Sequence, residues 1–246
     1  MTTPLIIAHR TAPLDAAENS LQGIATARRL GADGVEIDLR MTLDQQPFLL
    51  HDYSLHRTTG FPLPLELTPS AIVRTLRLHG TRETVPSLSD ALDALGSDMS
   101  MAVDVKTPWA VIPLVREVKR RRLESRVLVW CQSAMACRYV SQRLPTVEVA
   151  HLKTTHTPAA RARFLQTARA AGARAISAHW LAIDREFVQS AHEMGLRVFS
   201  WHETYPLDFD RLSSGLDILI TDWPEFAREA CVAVEKGHAP SPTPAL

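Results

Sequence analysis

Cysteine is scarce in this chain of 246 residues: Cys131, Cys137 and Cys231 are an odd number without metal-type spacing. They read as reduced, mostly buried thiols, and a cytoplasmic location is the corresponding expectation. Net charge is absent, with 27 basic residues against 27 acidic, so bulk charge points to neither a nucleic-acid partner nor a membrane surface. No apolar run reaches the ~18 residues needed to cross a bilayer, and stable membrane insertion is not expected. A signal-peptide pattern is also missing. Met1-Thr2-Thr3-Pro4 leads directly into Leu5-Ile6-Ile7-Ala8-His9, a short apolar run that reads as a first strand. No G-x-G-x-x-G follows that strand, which argues against dinucleotide binding.

What is present suits a globular core, with 46% of residues hydrophobic and 22% charged. Strand and helix patterns alternate almost throughout. Strands are expected at about 5–9, 33–39, 47–51, 100–106, 126–131, 146–151, 174–179, 196–201 and 217–221. Helices are expected from Asn19 or Ser20 to about Leu30, from Thr68-Pro69 to about Leu78, and from Ser87 or Ser89 to Leu95. Later ones are expected at about 109–122, 134–143, 158–171, 184–194, 206–213 and 223–236. Strands separated by amphipathic helices imply right-handed crossovers and a parallel sheet. Eight such strands in about this length predict one α/β domain, a closed (β/α)8 barrel over residues 1–236, with a disordered tail at 237–246.

The most informative stretch is Gly34-Val35-Glu36-Ile37-Asp38-Leu39-Arg40. In a strand, Glu36 and Asp38 share one face while Val35, Ile37 and Leu39 take the other. Two carboxylates side by side repel and lose hydration unless a cation lies between them. A lone pair of this kind is usually a solvated strand face. Here the neighbouring strand ends supply more. The first strand ends in His9-Arg10, the extended run after the second in His51-Asp52, the third barrel strand in Asp104-x-Lys106, and the last two in Trp201-His202-Glu203 and Thr221-Asp222. A parallel barrel gathers such ends at one mouth. Glu36, Asp38 and Asp104 would offer hard oxygen ligands suited to one divalent metal, Mg²⁺ or Ca²⁺ with Mn²⁺ also able to serve, rather than zinc. Arg10 and Lys106 beside them imply an anionic substrate, a phosphate above all. His9 and His51 titrate near neutrality and are the candidate general acid and base. Trp201, at a barrel mouth, is a candidate wall of the substrate pocket.

His9-Arg10, Glu18-Asn19-Ser20, Gly31-Ala32-Asp33-Gly34-Val35-Glu36-Ile37-Asp38, His51-Asp52-x-x-Leu55-x-Arg57-Thr58-Thr59, Val85-Pro86-Ser87-Leu88 and Ile220-Thr221-Asp222-x-Pro224 resemble the glycerophosphodiester phosphodiesterase family. The similarity runs in register from about residue 5 to 228 and is most specific in the first sixty residues. The resemblance implies a TIM barrel with one divalent metal and two catalytic histidines, hydrolysing a small-molecule glycerophosphodiester to an alcohol and glycerol phosphate. It would give Glu36, Asp38 and Asp104 to the metal, His9 and His51 to acid–base catalysis, and Arg10 and Lys106 to phosphate. The segment from about Tyr53 to Pro86 would be a small insertion capping the barrel after the second strand.

Departures from the family pattern bear on what the chain does. Thr11 stands where the family usually has glycine, and Asp104 is one methylene shorter than the usual glutamate. Cys131-Gln132 and Trp201-His202-Glu203-Thr204 replace commoner pairs and runs. Two other readings follow: a relative acting on a lysophospholipid or specialised-metabolite diester, or a non-catalytic phosphate-binding homologue that lost turnover through Thr11 and Asp104. His179 and Trp180 are further candidates for substrate contact. Lys119-Arg120-Arg121-Arg122 reads as the solvated end of a helix. The oligomeric state is not legible, nor is which histidine is acid and which is base.

Overall fold

The computed structural model describes residues 3–153, 157–203, 207 and 209–238. Nine strands form one sheet: β1 (Leu5–Ala8), β2 (Gly34–Met41), β3 (Pro47–Leu49), β4 (Ser100–Val105), β5 (Val127–Cys131), β6 (Glu148–Leu152), β7 (Ala175–His179), β8 (Arg197–His202) and β9 (Ile218–Thr221). Their order is β1-β9-β8-β7-β6-β5-β4-β2-β3, and an additional β1–β2 pairing closes the circle. Eight strands are therefore mutually parallel in a ring, and β3 folds back antiparallel on the outer end of β2. This is the expected (β/α)8 barrel.

Among the described residues ten α-helices connect and cover the ring: α1 (Leu21–Arg29), α2 (His56–Thr59), α3 (Ser70–Val73), α4 (Leu88–Ala94), α5 (Val111–Arg121), α6 (Ala134–Arg143), α7 (Pro158–Ala170), α8 (Arg185–Glu193), α9 (Phe209–Leu212) and α10 (Pro224–Glu235). Their starts follow the side-chain chemistry of the sequence. Ser20 caps α1 by accepting the Gly23 N–H at 2.9 Å, and Ser87 makes a reciprocal capping box with Asp90 at the head of α4. Gly172 and Gly195 follow α7 and α8 with φ of 74° and 71°, the left-handed exits that glycine permits.

Alternation along each strand divides the apolar side chains into two layers. Ile7, Ala102, Trp130, Ala150, Phe199 and Ile220 point into the barrel and fill it. Val35, Ile37, Val103, Val129, Ile176 and Val198 point outward under the helices. Trp130 and Phe199 meet inside with ring centroids 6.2 Å apart, so the barrel floor is packed and any ligand must sit at its open end.

Residues 53–86 carry their own small core of Leu55, Leu65, Val73, Leu78 and Val85 against Phe48 and Leu50. The helix expected from Thr68-Pro69 to Leu78 is confined to Ser70–Val73. Beyond it the chain turns back on itself: Arg77 bridges Thr84, the Leu78 N–H donates to the Glu83 carbonyl and the Val85 N–H to the Leu76 carbonyl. The apolar period in this stretch reflects packing under a loop, which single-sequence periodicity does not separate from a helix. The expected helix at 206–213 is described only as Phe209–Leu212. Thr204 and the expected disordered tail from 239 onward lie outside the described residues.

Candidate active site

The carboxyl ends of the strands open into a cavity of about 410 Å³. Its lining includes His9, Arg10, Glu36, Asp38, His51, Asp104, Lys106 and Trp201, together with Trp130, Gln132, Leu152 and Glu203. Every residue picked out from the sequence for metal, phosphate or acid–base work is thus brought to one place. His179 and Trp180 are not among the lining residues. His179 packs edge-on against Trp201 at 4.3 Å and Trp180 against His202 at 5.1 Å, so they stand behind the wall.

Strand register builds the acidic centre. In the β2–β4 pair, Asp38 lies directly opposite Asp104. Glu36, two residues earlier on the same face, completes the group, and ligand oxygens of the three lie within 4.8 Å of one another. All three side chains are buried. Lys106, two residues beyond Asp104, places its ammonium 3.0 Å from Asp38 Oδ1 and 2.5 Å from Asp104 Oδ2. One lysine does not balance three buried acids. Burial and the neighbouring Asp38 charge push the Glu36 carboxyl up to about 8, and burial raises Asp104 as well, against the pull of Lys106. Asp38 goes the other way. Burial would raise it, but Lys106, His51 and Arg10 and the Asn19 hydrogen bond outweigh that and hold it below the usual carboxylate range. Asp104 Oδ1 is buried without a hydrogen-bond partner. Three converging carboxylates and one orphaned buried oxygen make a donor set compatible with a hard divalent cation.

The loop after β1 is bent around this centre. Arg10, Thr11 and Ala12 carry φ of 40°, 65° and 65°, a left-handed run that costs non-glycine residues energy. What fixes it is hydrogen bonding. The Arg10 N–H donates to Glu36 Oε2 at 2.8 Å, and Asn19, itself at φ 55°, donates its amide to Asp38 Oδ2 at 2.8 Å and accepts the Asp38 N–H at 2.9 Å. Thr11 does not intrude on the substrate side. Its side chain is fully buried, and its Oγ1 accepts the Ser20 N–H at 3.1 Å. Space for it is left by Gly23, where a Cβ would come within 2.2 Å of Thr11 Oγ1. The threonine found in place of the family's glycine is accommodated behind the loop.

Each histidine has a carboxylate on its Nδ1. His9 Nδ1 is 2.6 Å from Asp222 Oδ1, which leaves Nε2 toward the cavity. Burial opposes protonation of His9, yet the Asp222 hydrogen bond and the Glu36 charge outweigh it, and its pKa lies above the ordinary value. His51 Nδ1 is 2.9 Å from Asp52 Oδ1. Asp52 in turn takes a 2.5 Å hydrogen bond from Arg57 Nε, and Arg57 makes a two-point fork to Glu18 at 2.7 Å on both arms. Arg57 holds Asp52 well below the usual carboxylate range. Asp222, Asp52 and Glu18 were visible as polar positions in the sequence, but their supporting roles were not. The signal lies in adjacency for His51-Asp52. For His9 and Asp222 it comes only from barrel closure, since 213 residues separate them.

A closed parallel barrel with a buried acidic centre, flanking cations and two carboxylate-backed imidazoles defines a hydrolase-type α/β barrel. Comparison with known proteins narrows the class. A sequence model described as the Glycerophosphoryl diester phosphodiesterase family matches residues 9–226, and the chain belongs to that family. It is 25% identical over 234 residues to a glycerophosphodiester phosphodiesterase of Caldanaerobacter subterraneus subsp. tengcongensis, covering 90% of this chain and 95% of that protein. Among solved structures, a glycerophosphodiester phosphodiesterase from Parabacteroides distasonis superposes with a TM-score of 0.79 at 20% identity, covering 94% of this chain and 98% of the other. An Oleispira antarctica phosphodiesterase, solved in complex with the product sn-glycerol-3-phosphate, superposes with a TM-score of 0.81 at 21% identity, covering 94% and 97%. Among the described residues no helix is long and apolar enough to cross a membrane.

Proposed function

We propose that this protein is a metal-dependent phosphodiesterase that hydrolyses a glycerophosphodiester to an alcohol and sn-glycerol 3-phosphate. The observation that carries this reading is the convergence, in one cavity, of Glu36, Asp38 and Asp104 with Arg10, Lys106 and both imidazoles. Family membership and the product named for the Oleispira structure agree with it. Glu36, Asp38 and Asp104 would hold one divalent cation, Mg²⁺ or Ca²⁺ with Mn²⁺ as a further candidate. Such an ion would supply Lewis-acid charge to the non-bridging phosphate oxygens. The free thiols Cys131, Cys137 and Cys231 are all buried, in keeping with a reducing compartment such as the cytoplasm.

The side chains divide the remaining work. Arg10 and Lys106 offer donors to the phosphate oxygens from opposite sides of the acidic group. His9 would serve as the general acid, because Asp222 anchors its Nδ1 and, with Glu36, favours its charged form. It would give its Nε2 proton to the leaving alcohol oxygen as the phosphorus–oxygen bond breaks. His51 would take the proton from the attacking hydroxyl as the new bond forms; where that hydroxyl is the glycerol 2-position rather than water, the cyclic phosphate formed is then opened by water, with His9 as base and His51 as acid. Asp52, itself fixed by Arg57, would orient His51 through Nδ1 and leave its other ring nitrogen for the attacking hydroxyl.

Leaving-group dependence tests the assignment. His9→Ala should lose ~10²–10⁴-fold in kcat on an alkyl diester and far less on an aryl diester, whose phenolate needs no proton. His51→Ala should lose about equally on both. The reverse pattern would exchange the two roles, and near-normal turnover in either variant would remove that histidine from the mechanism.

A further inference from the structure

The chemistry just described uses cavity residues from β1, β2 and β4 and the turn after β3. It leaves over the wall formed by β5, β6 and β8. On that wall Trp201 and Glu203 stand two positions apart at the carboxyl end of β8 and both line the cavity, while His202 between them is buried the other way against Trp180. The Trp201 ring is held edge-on by His179, with centroids 4.3 Å apart. Glu203 keeps 41% of its side chain exposed, and its ion contacts among the described residues are long, 3.5 Å to Arg10 Nη2 and 3.8 Å to His9 Nε2.

Arg10 is no more tightly committed. Its other ion contacts are 3.7 Å to Glu18 and 3.7 Å to Asp38, and its Nε is buried without a hydrogen-bond partner. A guanidinium surrounded at this range can turn to a phosphate without breaking a close pair. Once it does, Glu203 is a carboxylate facing the cavity beside an indole, with Arg10 engaged elsewhere and the His9 imidazole at 3.8 Å its remaining ion contact among the described residues. A neutral alcohol can offer that carboxylate only hydroxyl hydrogen bonds, and an anionic one is repelled by it. An ammonium group is attracted both by the carboxylate and by the negative face of the indole.

A glycerophosphodiester has two arms, and the glycerol arm is uncharged, so only the alcohol arm can bring a positive charge to Glu203. We propose that Trp201 and Glu203 form a subsite for a positively charged amine on the alcohol arm, making the protein selective for glycerophosphodiesters of amino alcohols over those of polyols. The glycerol arm then lies toward Gln132, just past the end of β5, whose side-chain amide both donates to and accepts from hydroxyls. This selectivity rests on the diesterase reading above and concerns residues outside its acid–base and metal groups.

The test is a comparison of kcat/KM for glycerophosphocholine, glycerophosphoethanolamine, glycerophosphoglycerol and glycerophosphoinositol, with a divalent cation supplied. The two amine-bearing substrates should be favoured by about tenfold. Glu203→Gln should collapse that ratio chiefly through KM, and Glu203→Lys should invert it. Tetramethylammonium chloride should inhibit the wild type competitively, beyond the effect of sodium chloride at equal concentration, and should lose that effect in Glu203→Gln. Equal use of all four substrates by the wild type, or a preference that survives in Glu203→Gln, overturns the subsite while leaving the diesterase reading intact. Cleavage of none of the four overturns both.

Discussion

The two halves of the barrel mouth are built on opposite principles. The half from β1, β2 and β4 is crowded with charge: three buried carboxylates, Lys106 between two of them, and a loop whose Arg10, Thr11 and Ala12 all adopt left-handed backbone. The half from β5, β6 and β8 presents Trp130, Gln132, Leu152 and Trp201, with Glu203 its one charged lining residue. Buried charge and strained backbone both cost stability, and they are concentrated where charge must develop in a phosphoryl reaction. The quieter wall carries no such cost. On the reading proposed above, its residues would set which substrate is held rather than whether bonds break.

Substitution should therefore separate the halves, with the largest losses on the charged side. Asp38→Ala removes the central carboxylate, the one opposite Asp104 and hydrogen-bonded to Asn19. Turnover should fall to background, and divalent-cation binding measured by calorimetry should be lost with it. Retained cation affinity would place the ion elsewhere. Asp222→Asn should be next, at roughly 100-fold in kcat. The alkaline limb of the pH–rate profile should also move to lower pH, because His9 would lose the hydrogen bond that raises its pKa. A kcat loss without that movement would mean that Asp222 acts on structure alone. Trp201→Ala, on the quiet wall, should cost about tenfold in kcat/KM, mostly through KM, with cation affinity unchanged. A loss confined to kcat would move Trp201 to the chemical half.

The smallest effect is on stability against pH. Glu36 is pushed up to about 8 from 4.5, so the folded state holds its proton more tightly than the unfolded chain does. The stabilisation that follows is complete below the unfolded pKa and is lost as pH rises through the folded one. Without divalent cations, the wild type should lose more melting temperature than Glu36→Gln between about pH 5 and 8. Added Mg²⁺ or Ca²⁺ should stabilise the wild type increasingly over the same interval, since the cation binds the deprotonated form. A wild-type melting temperature that rises relative to Glu36→Gln over this window would contradict the raised pKa.

The charged half was also the more legible in the sequence. Period-two alternation put Glu36 with Asp38 and Asp104 with Lys106, and the barrel rule then brought both pairs to one mouth. Those inferences need only strand geometry and topology. Fold class and nearly all strand limits followed from the alternation of apolar runs with capped helices. Three things were not legible, for different reasons. The Asp222 support of His9 depends on β9 closing against β1, a contact between opposite ends of the chain. The inward turn of Thr11 depends on Gly23, twelve positions later, and nothing in the local pattern couples them. The shortness of α3 reflects a loop packed on Phe48 and Leu50, where the apolar spacing resembles a helix without being one.

Chelation followed by cation add-back bears most directly on the idea that this acidic group exists to hold an ion. Hydrolysis of a glycerophosphodiester should cease after exhaustive removal of divalent cations and return with Mg²⁺, Mn²⁺ or Ca²⁺ in the wild type but not in Asp38→Ala. Activity that survives complete chelation, or that returns equally in the variant, would contradict it.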